Sequence, residues 1–196
     1  RSQAEHQALG AAGLDEEEDL FSPIKRAVRG RVVWLGINLC TAFLAASVIG
    51  QFELTLQKVV ALAVLMPIVA GVGGNAAVQV LTLMVRGIAL GQVGPSNARI
   101  LLWKESRVAL INGTLIGTVV GIIAFLWFHS FLLSLVITLA LIINFCAAAL
   151  AGVLLPLMLK RMNVDPAVAG TVVVTAVTDV MGFFSFLGLA TLILLH

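Results

Sequence analysis

Charge is scarce in this chain: 11% of its 196 residues are Asp, Glu, Lys or Arg, while 60% are hydrophobic and the mean hydropathy is +1.09. That balance excludes a water-soluble domain of this size, because too little polar surface exists to cover the core. Cysteine is equally sparse. Cys40 and Cys146 each stand alone in an apolar segment, without paired spacing or a nearby His, which excludes a disulfide framework and a thiolate metal set and leaves them as packing residues. The three histidines, His6, His129 and His196, are scattered, and Ser185 has no base within helical reach, so no hydrolytic constellation forms. The GVGGN stretch lies inside an apolar run instead of between a soluble strand and a helix, so it is not a dinucleotide fingerprint. An enzyme is not expected. Twelve basic residues nearly balance ten acidic ones and gather at the ends of apolar runs, which speaks of membrane topology and not of a nucleic-acid surface.

What is present is a series of long apolar runs. Residues Arg1 to Ser22 are polar and carry the run DEEED, Asp15 to Asp19; this is a solvated tail or, being next to the membrane, a divalent-cation or pore-mouth element. The chain starts with Arg1 and its first residues lack a signal-peptide pattern, so the reading is that of the C-terminal part of a longer protein. Lys25, Arg26, Arg29 and Arg31 anchor the cytoplasmic side of a first span, Val32 to Gly50. Gln51 to Lys58 form an outer loop. The run Val59 to Val85 contains Pro67, Gly71, Gly73 and Gly74 within MPIVAGVGGNAAVQ, which predicts a broken helix of the kind that marks substrate sites in transporters. A connection from Arg86 to Arg107 carries four basic residues and returns the chain to the cytoplasm.

The uncharged run Val108 to Leu159 is too long for one crossing at about 20 residues per span. A turn at Trp127 to Ser130 divides it into spans Val108 to Phe128 and Phe131 to Leu155. Gly113, Gly117 and Gly121 recur every four residues and form a small face for close helix packing. After Lys160 and Arg161, Asp165-Pro166 starts the fifth span with residues that favour helix N-termini. The expected fold is therefore all-α, a polytopic membrane protein with five transmembrane helices. Ten basic residues fall on one side and Lys58 alone on the other, apart from Arg1 in the tail, which sets the N-terminus in the cytoplasm and the C-terminus outside.

The fifth span holds one carboxylate, Asp179, in the middle of the apolar stretch Val172 to Ala190. A charge at that depth costs at least ~2.5–3.5 kcal/mol and almost always faces a bundle interior or a water path. Either it pins two helices together or it serves an ion or proton site, and the second is the working reading. Gly71 to Asn75 lie at the centre of the second run, at the same depth, so the two elements can share a site. Asn75 and Gln79 fall on one helical face, as do Thr175 and Asp179, with Gly182 one turn on. Carboxylate, amide, hydroxyl and backbone oxygens make a hard-cation set suited to Mg²⁺ or Ca²⁺. One carboxylate under-neutralises a divalent ion, and a homodimer with Asp179 from each subunit near a two-fold axis supplies two. Three mechanisms stay open: a passive Mg²⁺ conduit, a proton- or Na⁺-coupled divalent-cation carrier using the same site, and a membrane scaffold without transport.

PIVAGVGGNAAVQ (Pro67 to Gln79), VDPAVAG (Val164 to Gly170) and TDVMGFFSFLGLA (Thr178 to Ala190), together with the KES segment Lys104 to Ser106, resemble the MgtE family of magnesium channels and transporters. The resemblance covers Lys25 to the end. It implies a five-span domain that dimerises around a Mg²⁺ pore lined by the second and fifth helices, in the inner (plasma) membrane. It puts the family's pore aspartate on Asp179, its glycine turn and asparagine on Gly71, Gly74 and Asn75, and its cytoplasm-facing aspartate on Asp165. The family also carries a cytoplasmic sensor, an N-domain with paired CBS domains. Residues 1–31 resemble the end of the segment that connects it, leaving 32–196 as the membrane domain and the sensor outside this chain. Two departures stand out: Val172 where many relatives have proline, and an apolar Ala76-Ala77-Val78 after the asparagine.

Overall fold

A computed structural model describes residues 19–196; positions 15–18 of the acidic run lie outside the described residues. Every regular element among them is helical. Five helices are long and apolar enough to cross a membrane: α1 (Ile24–Gln51), α3 (Ala61–Ala89), α4 (Ala98–Phe128), α5 (Phe131–Arg161) and α6 (Pro166–Leu194), with a short helix α2 (Glu53–Lys58) after the first. At 1.5 Å per residue each long helix reaches about 42–46 Å, beyond the ~30 Å hydrocarbon core, so its polar end stands in the headgroup region. The chain is a multi-pass membrane protein.

The helix ends follow local chemistry. α1 starts directly after Pro23, earlier than the expected Val32, so the basic residues 25–31 form its first turns. Long basic side chains keep their heads in water while the backbone continues helical. His129 takes a left-handed conformation (φ 54°) and its N–H donates to the Phe125 carbonyl at 2.8 Å, closing α4. Ser130 then opens α5, its Oγ accepting the Leu133 N–H at 3.2 Å. Asp165 caps α6 by accepting the Ala167 N–H at 2.9 Å, with Pro166 in the first turn. These two boundaries fall where the sequence pattern puts them.

The second run departs from expectation: α3 is one continuous helix from Ala61 to Ala89, with Pro67 and all three glycines inside it. In hydrocarbon each freed backbone group costs several kcal/mol, so a ladder that loses one donor at a proline still closes around it. The glycines act through size instead. Gly73 is buried at a helix crossing, whereas nothing lies within 4 Å of where a Cβ would sit on Gly71 or Gly74.

α5 lies at the centre, touching α3, α4 and α6; α6 touches α1 and α3 as well, and α1 buries only Ala45. The glycine face of α4 packs on α5, as its spacing predicts. Cβ atoms at Gly113 and Gly117 would come within 3.2 and 3.1 Å of α5 backbone. Ser134 and Thr138 donate across that seam to the Gly121 and Gly117 carbonyls at 2.6 and 3.1 Å. Such close approach and interhelical hydrogen bonding replace the hydrophobic drive that lipid removes. The buried core holds two clusters stacked along the bundle, beside a smaller third of Ala109, Phe145 and Ala149. One cluster gathers Leu65, Val69, Ile137, Leu141 and Phe186, and the other Ala77, Leu81, Ala148 and Val174. Between them runs a level of buried polar and small residues: Gly73, Asn144, Thr178 and Gly182.

Candidate ion site

Two contacts fix the register of α3 against α6. Gly170 faces Leu81, whose Cδ1 would be 2.8 Å from an added Cβ, and Gly182 faces Val69, whose Cγ1 would be 3.3 Å away. The separation is twelve residues on each helix, in opposite directions, as an antiparallel pair requires. Asp179, three residues before Gly182, therefore lies level with residue 72, within the 71–75 segment. The two elements that the sequence pattern assigns to one depth do meet at one depth.

The side chains divide by exposure at that level. Asn75 and Gly71, one turn apart on α3, are exposed in the protomer, and Gly74 is partly buried. Thr175 and Asp179, one turn apart on α6, are both partly buried. No hydrogen bond or ion pair reaches the Asp179 carboxylate from the described residues. The neighbouring Thr178 is spent on its own helix, its hydroxyl donating to the Val174 and Thr175 carbonyls at 3.1 and 3.0 Å. Gly182 differs from the others: it is buried inside the protomer, turned toward Asn144 and Val69. Asp165 is also apart. As the cap of α6 it stands fourteen residues before Asp179, about 21 Å along the axis, outside this cluster.

Asn144 on α5 is the residue that sequence reasoning missed. It is fully buried (0% exposed), donates its Nδ2 to the Val69 carbonyl at 3.2 Å, and leaves Oδ1 without a partner among the described residues. A Cβ on Gly73 would collide with its amide, and one on Gly182 would lie 2.8 Å from Nδ2. Two glycines from two helices thus make the slot for one amide from a third. Its signal in the sequence was a lone amide in the middle of the apolar Phe131 to Leu155 run.

A cleft of about 120 Å³ opens between α3, α4 and α5, toward the end of the bundle where α3 stops and α4 starts. Gln79, Glu105 and Asn112 supply its polar lining. Gln79 lies one turn beyond Asn75, so the amide face of α3 continues from the Asp179 level into this cleft. Among the described residues no group of three or more His, Cys, Asp or Glu comes together as a metal cage.

A multi-pass helical bundle with an unpaired carboxylate at mid-depth, level with exposed amide and glycine backbone on a packed neighbour, is a membrane protein with an intramembrane polar site. The chain belongs to the MgtE family of divalent cation transporters, whose profile matches residues 66–189. It is similar to proteins named magnesium transporter MgtE from three bacteria: 37% identical to that of Thermus thermophilus over 84% of this chain, 31% to that of Enterococcus faecalis over 93%, and 28% to that of Bacillus subtilis over 95%. The chain spans 36%, 40% and 41% of the lengths of these relatives.

Proposed function

We propose that this domain carries Mg²⁺ across the membrane as a homodimer, with Asp179 of each protomer facing a common path near the two-fold axis. The observation that carries this reading is the Asp179 carboxylate: partly buried, unpaired among the described residues, and level with the 71–75 segment of α3. A side chain that only pinned helices together would have a fixed partner. The family's description as divalent cation transporters and the names of the three magnesium transporters supply the cargo.

The dimer follows from what the protomer leaves exposed. Asn75 and Gln79 are exposed polar amides at or near hydrocarbon depth, where contact with lipid leaves their hydrogen bonds unmade. A second copy across the axis turns that face toward a water-filled path and brings a second carboxylate. The ion is recognised with most of its water retained, the usual state of protein-bound Mg²⁺, one carboxylate from each protomer meeting its hydration shell. The cleft of Gln79, Glu105 and Asn112 is the approach from the basic side of the bundle. That side, with ten Lys and Arg residues against Lys58 opposite, is cytoplasmic, so the N-terminus lies inside and the C-terminus outside. Inward movement is driven by the membrane potential at ~2.3 kcal/mol per charge per 100 mV. In the full-length protein the cytoplasmic N-domain and CBS domains of the family regulate the path, and the locale is the inner (plasma) membrane.

The test is Mg²⁺ uptake into proteoliposomes in the presence of cobalt(III) hexaammine, which has the size of hydrated Mg²⁺ and cannot shed its ligands. Competitive block is expected, and absence of block speaks for a dehydrated site. Unitary currents across a planar bilayer distinguish the conduit from a proton- or Na⁺-coupled carrier, which gives none.

A further inference from the structure

One groove among the described residues belongs to neither the carboxylate level nor the polar cleft. It encloses about 700 Å³ between the end of α5 and the loop joining α3 to α4, a volume within the ~300–1,000 Å³ range of ligand pockets. Its walls are apolar, with Val93 and Pro95 on the loop side and Leu154 and Met158 on α5, and its rim carries Lys160 and Arg161. Both cations are exposed, and neither pairs with an acid among the described residues.

The loop wall is built in advance. The N–H groups of Gln92 and Val93 both donate to the Gly87 carbonyl, at 2.9 and 3.2 Å, around a turn that Gly91 makes with φ 72°. Asn97 staples the same loop, donating Nδ2 to the Gln92 carbonyl at 2.7 Å and accepting the Gly94 N–H at 2.9 Å. On the helix wall, Leu154 lies six residues before Lys160, about 9 Å deeper along the axis. The groove therefore starts at headgroup level with two positive charges and runs into the acyl region between apolar walls.

We propose that this groove is a binding site for an anionic phospholipid, its phosphate held by Lys160 and Arg161 and one acyl chain lying along Leu154 and Met158 against Val93 and Pro95. A free phosphate would use the cations and ignore the apolar walls, whereas a zwitterionic lipid would use the walls without net charge to meet the cations. The site rests on the membrane reading of the helices alone and is independent of Asp179.

The test is native mass spectrometry of the full chain released from mixed micelles containing equal phosphatidylglycerol and phosphatidylcholine. Wild type is expected to retain phosphatidylglycerol preferentially. Each basic residue near an anionic surface is worth about a fivefold change in affinity, so Lys160→Gln with Arg161→Gln should weaken that preference roughly 25-fold at unchanged melting temperature. Met158→Trp, which fills the groove, should reduce retention of both lipids. Equal retention by all three proteins would overturn the proposal, as would complete displacement of the lipid by millimolar inorganic phosphate, the mark of a simple anion site. Rapid disulfide formation between Met158→Cys copies in vesicles would overturn it too, by showing that a second chain covers the groove.

Discussion

The amide of Asn144 meets the carbonyl of Val69 at 3.2 Å, at the point where α3, α5 and α6 cross. That one contact sits between the cluster of Leu65 and Phe186 and that of Leu81 and Val174, at the level of the Asp179 carboxylate. It joins helix packing to the proposed path: the amide can enter only because residues 73 and 182 are glycine, and Gly182 is less than one turn from Asp179.

Gly182→Ala should therefore destabilise the fold by about 1–3 kcal/mol through overpacking against Asn144 and Val69. In an Asn144→Ala background the same change should cost less, because the crowding atoms are gone, with a coupling on the order of 0.5–3 kcal/mol. Thermal unfolding of the four proteins in detergent measures the cycle. Strictly additive effects would mean that the slot does not constrain the bundle.

Gly71 makes the opposite case. Nothing lies within 4 Å of an added Cβ there, so Gly71→Val should leave the protomer's unfolding midpoint almost unchanged. Mg²⁺ uptake by vesicles holding this variant should fall steeply, since the side chain would enter the proposed path. Normal uptake together with normal stability would take Gly71 off that path.

Asp165 offers a way to separate capping from charge. Asp165→Ala should cost about 0.5–2 kcal/mol by removing the acceptor for the Ala167 N–H, while Asp165→Ser keeps a capping oxygen and most of the stability. If the residue also handles cations at the cytoplasmic mouth, the serine variant should melt like wild type yet take up Mg²⁺ more slowly. Unchanged uptake would remove Asp165 from the cation path.

Much of this architecture could be read from the chain because the signals were local. The Asp165-Pro166 pair and the break at residues 129–130 depend on a cap and a turn, and both boundaries stand where those residues put them. The spacing of Gly113, Gly117 and Gly121 announced a packing face, and Thr138 and Ser134 close on it. The continuity of α3 was not legible, because Pro67 and three glycines are helix breakers in water but not where the bilayer forbids open backbone groups. The close packing at Gly182 was not legible either, because only the position of α5 brings Asn144 against it. Asn144 escaped for the same reason. A lone amide in an apolar run has no periodic pattern, and its meaning comes from two glycines more than thirty residues away on either side.

The most direct measurement is Mg²⁺ uptake into proteoliposomes by Asp179→Asn, a change that keeps shape and removes charge, with the oligomeric state checked in the same preparation. The account predicts a stable dimer whose uptake falls to the level of empty vesicles. A dimeric variant that takes up Mg²⁺ as fast as wild type would contradict it and leave Asp179 a structural residue.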